Sequence, residues 1–177
     1  EGLPILSQLD ADELAIITRQ IERGLNSPLT SSAGRLFDAV SALAGIRGTV
    51  DYEAQAAIEL EMLAPDELDW ELYPFSVVEE QECKVVKLGE LISAIVEEVK
   101  NRLPVAVISA KFHKTVAEII VRTCQLIAKE TKINMVALSG GVFQNRLLSR
   151  LTTEALQEKG FDVLTHRLVP CNDGGVS

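Results

Sequence analysis

The residues from Val136 to Asn145 have the types and order that an anion site needs. An apolar stretch with strand character ends in Ser139-Gly140-Gly141, and a helical pattern follows at once. Glycines let the backbone approach a ligand closely, and the first turn of a helix presents unpaired N–H groups with a partial positive charge. The Asn145 amide could hold a base or ribose edge. An ordinary tight turn followed by an exposed amide would give the same residues, so both interpretations stay open.

Two acidic side chains earlier in the sequence are further candidates. Arg35 and Asp38 lie one helical turn apart and therefore share a face that could point into a cleft. The alternative is a capped helix with a surface ion pair. Glu59 follows the segment Tyr52–Gln55 on a predicted helix, where a solvated helix face is the competing interpretation.

A carboxylate near the end of the chain is a candidate metal ligand. Asp173 stands in Asn-Asp-Gly-Gly, after the last predicted strand. In parallel α/β sheets, the loops at the carboxyl ends of strands line the ligand crevice, and a carboxylate oxygen suits a hard cation. Turn chemistry alone also produces this sequence.

Three other reactive side chains give weaker signals. His113 lies beside Phe112 on an apolar helical stripe, which favours a structural or surface role. His166 lies in a predicted strand without a second histidine or cysteine nearby, so a metal role is not expected. Cys171 has no histidine base close in sequence and is expected to be a small packing residue.

Helical periodicity predicts the elements that position these residues. The first helix is predicted over Ala11–Arg23, capped by Asp10, with Leu14, Ile17 and Ile21 as its buried stripe. Further helices are predicted over residues 31–45, 53–63, 88–102, 105–130 and 142–159, a strand pair within 74–88, and strands over 134–138 and 162–168.

The closing strand–helix–strand order predicts parallel strands joined by a crossover. The expected fold class is therefore α/β, rich in helices, with a mixed sheet.

Composition limits the classes of protein. With 177 residues, of which 47% are apolar and 24% charged, the chain can form one core or two small lobes around a cleft. A net charge of −9 argues against a general nucleic-acid surface, and no apolar run approaches the about 20 residues of a membrane span. Three widely spaced cysteines fit neither a disulfide framework nor a zinc site, which predicts a reduced, cytoplasmic protein. Both ends read as interrupted, so residues 1–177 are expected to be part of a larger protein.

Taken together, five motifs resemble one family. The segments at 31–39, 52–61, 110–113, 138–145 and 172–175 resemble the C-terminal part of HypF, the carbamoyltransferase of [NiFe]-hydrogenase maturation. They are more distantly similar to the TsaD tRNA-modification family and the TobZ antibiotic carbamoyltransferase. The resemblance implies the second lobe of an actin-like (ASKHA) ATPase domain, which holds nucleotide between two lobes.

The resemblance also implies a reaction. Carbamoyl phosphate and ATP give a carbamoyl-adenylate in a separate domain, and the carbamoyl group passes to the C-terminal cysteine thiol of a partner, HypE. The alternatives are a TsaD-like threonylcarbamoyl transferase, a TobZ-like O-carbamoyl transferase, or an ATP-binding scaffold without catalysis.

Residue roles follow from the same resemblance. The nucleotide-contacting positions are Asp38 and Glu59 at the adenosine, with Ser139, Gly140, Gly141 and Asn145 in the nucleotide loop. Asp173 matches the aspartate of a divalent-metal site that holds Zn, Fe or Mg, and no catalytic residue is assigned.

Two departures from the family pattern matter. Ala54 stands where the family usually has glycine, which makes close backbone approach there doubtful. The family's two metal-binding histidines, one helical turn apart, would lie upstream of Glu1. We therefore expect the chain by itself to be metal-free and inactive.

Overall fold

The computed structural model describes residues 2–65 and 70–175. Its helices are α1 (Ala11–Arg23), α2 (Ala33–Leu43), α3 (Gln55–Met62), α4 (Gly89–Lys100), α5 (Val105–Thr131) and α6 (Arg146–Glu158). Its strands are β1 (Ser76–Glu80), β2 (Cys83–Lys87), β3 (Met135–Leu138) and β4 (Asp162–Thr165). Short 3₁₀ turns cover Pro4–Gln8, Gly141–Gln144 and Asp173–Gly175. No helix in this part of the chain combines the length and apolar character needed to cross a membrane.

Helix α1 has the predicted ends but not the predicted environment. Asp10 Oδ1 accepts from the Glu13 N–H at 2.8 Å, and Glu13 Oε2 accepts from the Asp10 N–H at 3.1 Å. These two bonds form a capping box. The predicted burial of its apolar stripe is wrong: Leu14, Ile17 and Ile21 are 41%, 39% and 65% exposed. Periodicity shows that a helix has an apolar face, but not that the same chain covers it.

The long helix α5 contributes to both hydrophobic clusters formed by the described residues. Its first half carries Ile108 and Phe112 into the larger cluster, whose buried members outside α5 come from α2, α3, α4 and α6, together with Tyr73 from the segment before β1. Further along, Val121 joins the smaller cluster, which includes Leu138 of β3 and Leu156 of α6. Since one continuous helix contributes to both, the β3–α6–β4 unit is fixed relative to the helices before it.

The four strands form two separate two-stranded sheets. β1 and β2 pair antiparallel, from Ser76 with Lys87 to Glu80 with Cys83, as the predicted strand pair requires. β3 and β4 pair parallel, ending with Leu138 opposite Thr165, and α6 forms the crossover between them. The prediction of parallel closing strands is confirmed.

Two helix starts differ from prediction. Helix α3 begins at Gln55 because Ala54 adopts the left-handed conformation (φ 62°, ψ 6°) and ends the preceding turn. The helix predicted from Val142 begins instead at Arg146, after a 3₁₀ turn. Asn145 is its N-cap and has an extended backbone (φ −65°, ψ 108°), which keeps the residues before it out of the helix.

Candidate functional site

The carboxyl ends of β3 and β4 lie side by side and bring Ser139 and His166 together. Each residue directly follows its strand, and the last residues of the two strands are partners in register. The Ser139 hydroxyl lies 3.0 Å from Nε2 of His166, within hydrogen-bond distance, and both side chains are exposed. We call Ser139–Gly141, His166 and the loop 170–174 the strand-end rim.

The rim is held together by a backbone hydrogen bond between its two glycine-containing loops. The Gly140 N–H donates to the Cys171 carbonyl at 2.7 Å. Gly140 has φ 104° and ψ 156°, a conformation that only glycine adopts readily, although a Cβ there would meet nothing within 4 Å. The backbone conformation, not crowding, therefore requires this glycine.

This bond changes which N–H groups an anion could use. The Gly140 N–H is already paired, whereas those of Gly141 and Val142 have no acceptor among the residues that the structure describes. The anion site predicted at Ser139–Gly141 is therefore presented by a 3₁₀ turn and not by the end of α6.

Asn145 and the buried His113 form a hydrogen-bonded pair at the start of α6. Asn145 Oδ1 accepts from the Leu148 N–H at 2.8 Å, which leaves the amide nitrogen to donate to His113 Nε2 at 2.9 Å. His113 Nδ1 lies 2.8 Å from the Ser109 carbonyl and donates to it. The imidazole must then be neutral, and its complete burial lowers the pKa of His113.

Asn145 therefore has a structural role that the sequence did not indicate. Both its amide oxygen and its amide nitrogen are bonded within the chain. Contact with a base or ribose remains a prediction, and it would require one of these bonds to be exchanged. The structural interpretation of His113 agrees with its complete burial.

Glu61 of α3 also stabilises the start of α6, although the two are far apart in sequence. Its Oε1 accepts from the Arg146 N–H at 2.8 Å and the Leu147 N–H at 3.1 Å. A carboxylate at a helix N-terminus satisfies free donors and complements the helix dipole. Sequence reasoning missed this role because the partners are 85 and 86 positions away. We call Glu61, His113 and Asn145 the α6 junction.

The two predicted adenosine contacts lie on α2 and α3 with local partners. Asp38 faces Arg35, with 3.4 Å between the charged atoms, and this pair is largely exposed. Both Glu59 oxygens accept from Arg47 Nε, at 2.9 and 2.8 Å, and Gln55 donates to one of them at 3.0 Å. Arg47, and after it Gln55, hold the pKa of Glu59 below its usual value.

No hydrogen bond or ion pair in the described ranges joins Asp38 or Glu59 to the strand-end rim. The structure thus assembles Ser139, Gly140 and Gly141 with the Asp173 loop, and leaves the two acidic side chains on the neighbouring helices.

Asp173 lies exposed in the rim, between Asn172 and Gly174, which share a hydrogen bond. Asn172 Oδ1 accepts from the Gly174 N–H at 3.2 Å, and its Cβ lies 3.9 Å from where a Gly141 side chain would begin. No group of three or more His, Cys, Asp or Glu side chains suited to a metal ion occurs within residues 2–65 and 70–175. A single carboxylate does not form a metal site, so we assign no step of chemistry to a metal held by these residues alone.

A small cavity of about 160 Å³ lies at the rim. His166 and Cys171 both line it, although sequence reasoning placed no histidine near this thiol. The register of β4 was the available signal, since it brings the residue after the strand to this edge. Pockets for drug-sized ligands hold roughly 300–1,000 Å³, so this cavity fits a small group and not a whole nucleotide. Its other lining residues are Leu138, Phe143, Ser149, Thr165, Val169 and Pro170.

The whole chain resembles a known domain family. Residues 2–177 match the family described as "Carbamoyltransferase, Kae1-like Domain, second subdomain". Carbamoyltransferase HypF of Synechocystis sp. is 38% identical over 172 residues, which cover 97% of this chain and 22% of that protein.

Solved structures give the same result. A crystal structure of full-length HypF in the phosphate- and nucleotide-bound form matches with a TM-score of 0.91 and 44% identity, over 98% of this chain and 23% of that one. HypF from T. kodakarensis matches with a TM-score of 0.76 and 25% identity, over 99% and 23%. The chain therefore spans less than a quarter of the length of these relatives.

Proposed function

Because this chain belongs to the family of carbamoyltransferase Kae1-like domains, in which it corresponds to the second subdomain, we propose that it forms one wall of the nucleotide site of an ATP-dependent carbamoyltransferase. The observation that supports this most strongly is the Gly140–Cys171 hydrogen bond, which joins two glycine-containing loops at the carboxyl ends of parallel strands. That is where α/β proteins bind ligands. The similar HypF crystal structure is described as holding phosphate and nucleotide.

In this proposal the rim binds the phosphates and the helices bind the nucleoside. The Gly141 and Val142 N–H groups and the Ser139 hydroxyl donate to phosphate oxygens. Among the residues that the structure describes, these groups make no other hydrogen bond except the Ser139–His166 contact. Asp38 and Glu59 accept from the ribose hydroxyls. Glu59 remains ionised in this role because Arg47 lowers its pKa.

The proposed reaction is transfer of a carbamoyl group from an adenylate to a thiol. The sulfur of the acceptor cysteine, which we take to be the C-terminal cysteine of HypE, attacks the carbamoyl carbon. A C–S bond forms, the bond from that carbon to the phosphate oxygen breaks, and AMP leaves with the electron pair while the thiol proton passes to solvent. The residues of this chain orient the adenylate and stabilise charge on its phosphate, which is where such sites gain most of their rate.

The cofactors and surroundings follow from the same proposal. The full-length protein would use carbamoyl phosphate and ATP, and Asp173 would complete a divalent-metal site with ligands from outside this chain. Free Cys83, Cys124 and Cys171 agree with a reducing compartment, and we propose the cytoplasm. The net charge of −9 disfavours a nucleic-acid partner.

Calorimetric titration with ATP tests this site. Wild-type protein, Ser139→Ala and Asp38→Ala are compared, with Glu79→Ala on the β1–β2 hairpin, which contributes no residue to the proposed site, as the matched control. We expect saturable binding that weakens about tenfold or more in the two site variants and is unaltered in the control. Folded wild-type protein, at its full length, that binds no ATP would rule the proposal out.

Transfer activity separates an enzyme from a scaffold. In the full-length protein, Asp173→Ala should abolish carbamoylation of a C-terminal cysteine peptide while circular dichroism shows an intact fold. Retained transfer would remove Asp173 from the active site, and docking without transfer in the wild type would favour the scaffold.

A further inference from the structure

Among the residues described, the strand-end rim carries the titratable side chains of His166, Cys171 and Asp173. The proposed function gives His166 no role. It is the residue after β4, and its Nε2 lies 3.0 Å from the hydroxyl of Ser139, the residue after β3. Because β3 and β4 pair in register up to Leu138 and Thr165, this contact is set by the sheet and does not depend on a long flexible loop.

A serine hydroxyl needs such a partner if its O–H bond is to point at one fixed anion position. The O–H rotates freely, with one hydrogen to donate and two lone pairs that accept. A phosphate oxygen only accepts, so in a complex it must take the Ser139 hydrogen. The compatible arrangement at His166 is then an Nε2–H that donates to the Ser139 oxygen. A donor on that oxygen also polarises the hydroxyl and strengthens the bond that it makes to the anion.

The surroundings of the Ser139–His166 pair also favour a ligand-binding role over a purely structural bond at the sheet edge. Both side chains are exposed, so their bond covers no apolar core.

Resting on the proposed nucleotide site, we propose that His166 is a positioning residue that orients the Ser139 hydroxyl toward a phosphoryl oxygen of the ligand. Inorganic phosphate and ATP both present such an oxygen. The contribution of His166 to the binding free energy should therefore require a phosphoryl group on the ligand and the hydroxyl group of Ser139.

Titration of the full-length protein with ATP, adenosine and inorganic phosphate tests this. The variants are His166→Ala, His166→Gln, Ser139→Ala and the double alanine variant. Glutamine is the matched control because its amide Nε2 can donate where the imidazole Nε2 does. Adenosine reports on the fold and on the nucleoside site without the phosphates.

We expect His166→Ala to weaken ATP binding about three- to tenfold, the scale of one hydrogen bond, and to leave adenosine binding unaltered. Glutamine should restore most of the loss, and His166→Ala should add nothing in the Ser139→Ala background. A parallel loss for inorganic phosphate identifies any phosphoryl group as the ligand, whereas a loss confined to ATP identifies the nucleotide.

Unaltered ATP binding by His166→Ala would overturn the inference while leaving the proposed function standing. An equal loss for adenosine and ATP would also overturn it, because His166 would then merely shape the fold. Absence of ATP binding in the wild type would sink the proposed function and this inference together.

Discussion

The α6 junction and the strand-end rim both contain motif residues, but they use their polar groups in opposite ways. At the junction, Asn145 and His113 bond to each other and to the backbone, and the imidazole is completely buried. At the rim, Ser139, His166 and Asp173 are exposed, and the N–H groups of Gly141 and Val142 have no acceptor among the residues described.

The difference shows that the α6 junction positions the site, whereas the strand-end rim presents the groups that a ligand would contact. The junction fixes where α6 begins, and thereby where the turn Gly141–Gln144 sits, without offering a free group to a ligand. A substitution of a polar side chain at the junction should therefore act through stability, and a substitution of a polar side chain at the rim through binding.

The largest effect on stability should come from Asn145→Ala. It removes the N-cap of α6, worth about 0.5–2 kcal/mol, and leaves His113 Nε2 buried without a donor, worth about 1–3 kcal/mol. We expect the free energy of unfolding in urea to fall by about 2–4 kcal/mol. Asn145→Ser keeps an uncharged capping oxygen but lacks the amide nitrogen, so its smaller loss measures the bond to His113. A loss under about 1 kcal/mol in the alanine variant would show that the junction does not hold α6.

At the rim, two adjacent glycines should respond unequally to alanine. Gly140→Ala forces a side chain onto a backbone at φ 104°, which costs about 1–3 kcal/mol although the space is open. Gly141→Ala is the matched control, since the new Cβ would make an ordinary contact of 3.9 Å with Asn172. Thermal unfolding should separate the two variants by several degrees. Equal melting temperatures would refute the conformational argument.

The smallest effect is the pH dependence that the junction adds. Burial lowers the pKa of folded His113 from its ordinary 6.5, and the unfolded chain regains that ordinary value. Below about pH 6.5 the unfolded chain therefore binds more protons, so stability falls as the pH falls, by at most about 1.4 kcal/mol per pH unit. Urea unfolding of wild type and His113→Gln between pH 7.5 and 5 measures the difference. Parallel profiles would mean that His113 does not stay neutral in the fold.

Local signals in the sequence predicted the helices, the hairpin and the parallel strands well. The capping box at Asp10 and the strand pair before α4 appear at their predicted places. The resemblance to the HypF family and the helix-rich α/β fold are confirmed by the matching domain family and solved structures.

What the sequence did not predict depends on distant partners. The apolar stripe of α1 is real, but whether it is buried depends on which surface packs against it. Glu61 caps a helix in another part of the chain, and Asn145 donates to a histidine 32 positions away. Such pairings depend on three-dimensional packing, which no local pattern encodes.

The left-handed backbone of Ala54 has a consequence for the engineering of this chain. A non-glycine residue in that conformation costs roughly 1–2 kcal/mol, more than the 0.5–1 kcal/mol of flexibility that glycine adds to the unfolded state. Alanine and glycine codons differ at a single base, so a more stable variant lies one nucleotide away from the present gene. Position 54 is thus a candidate for directed evolution of a more stable protein, since its exposed methyl group contributes nothing to the core.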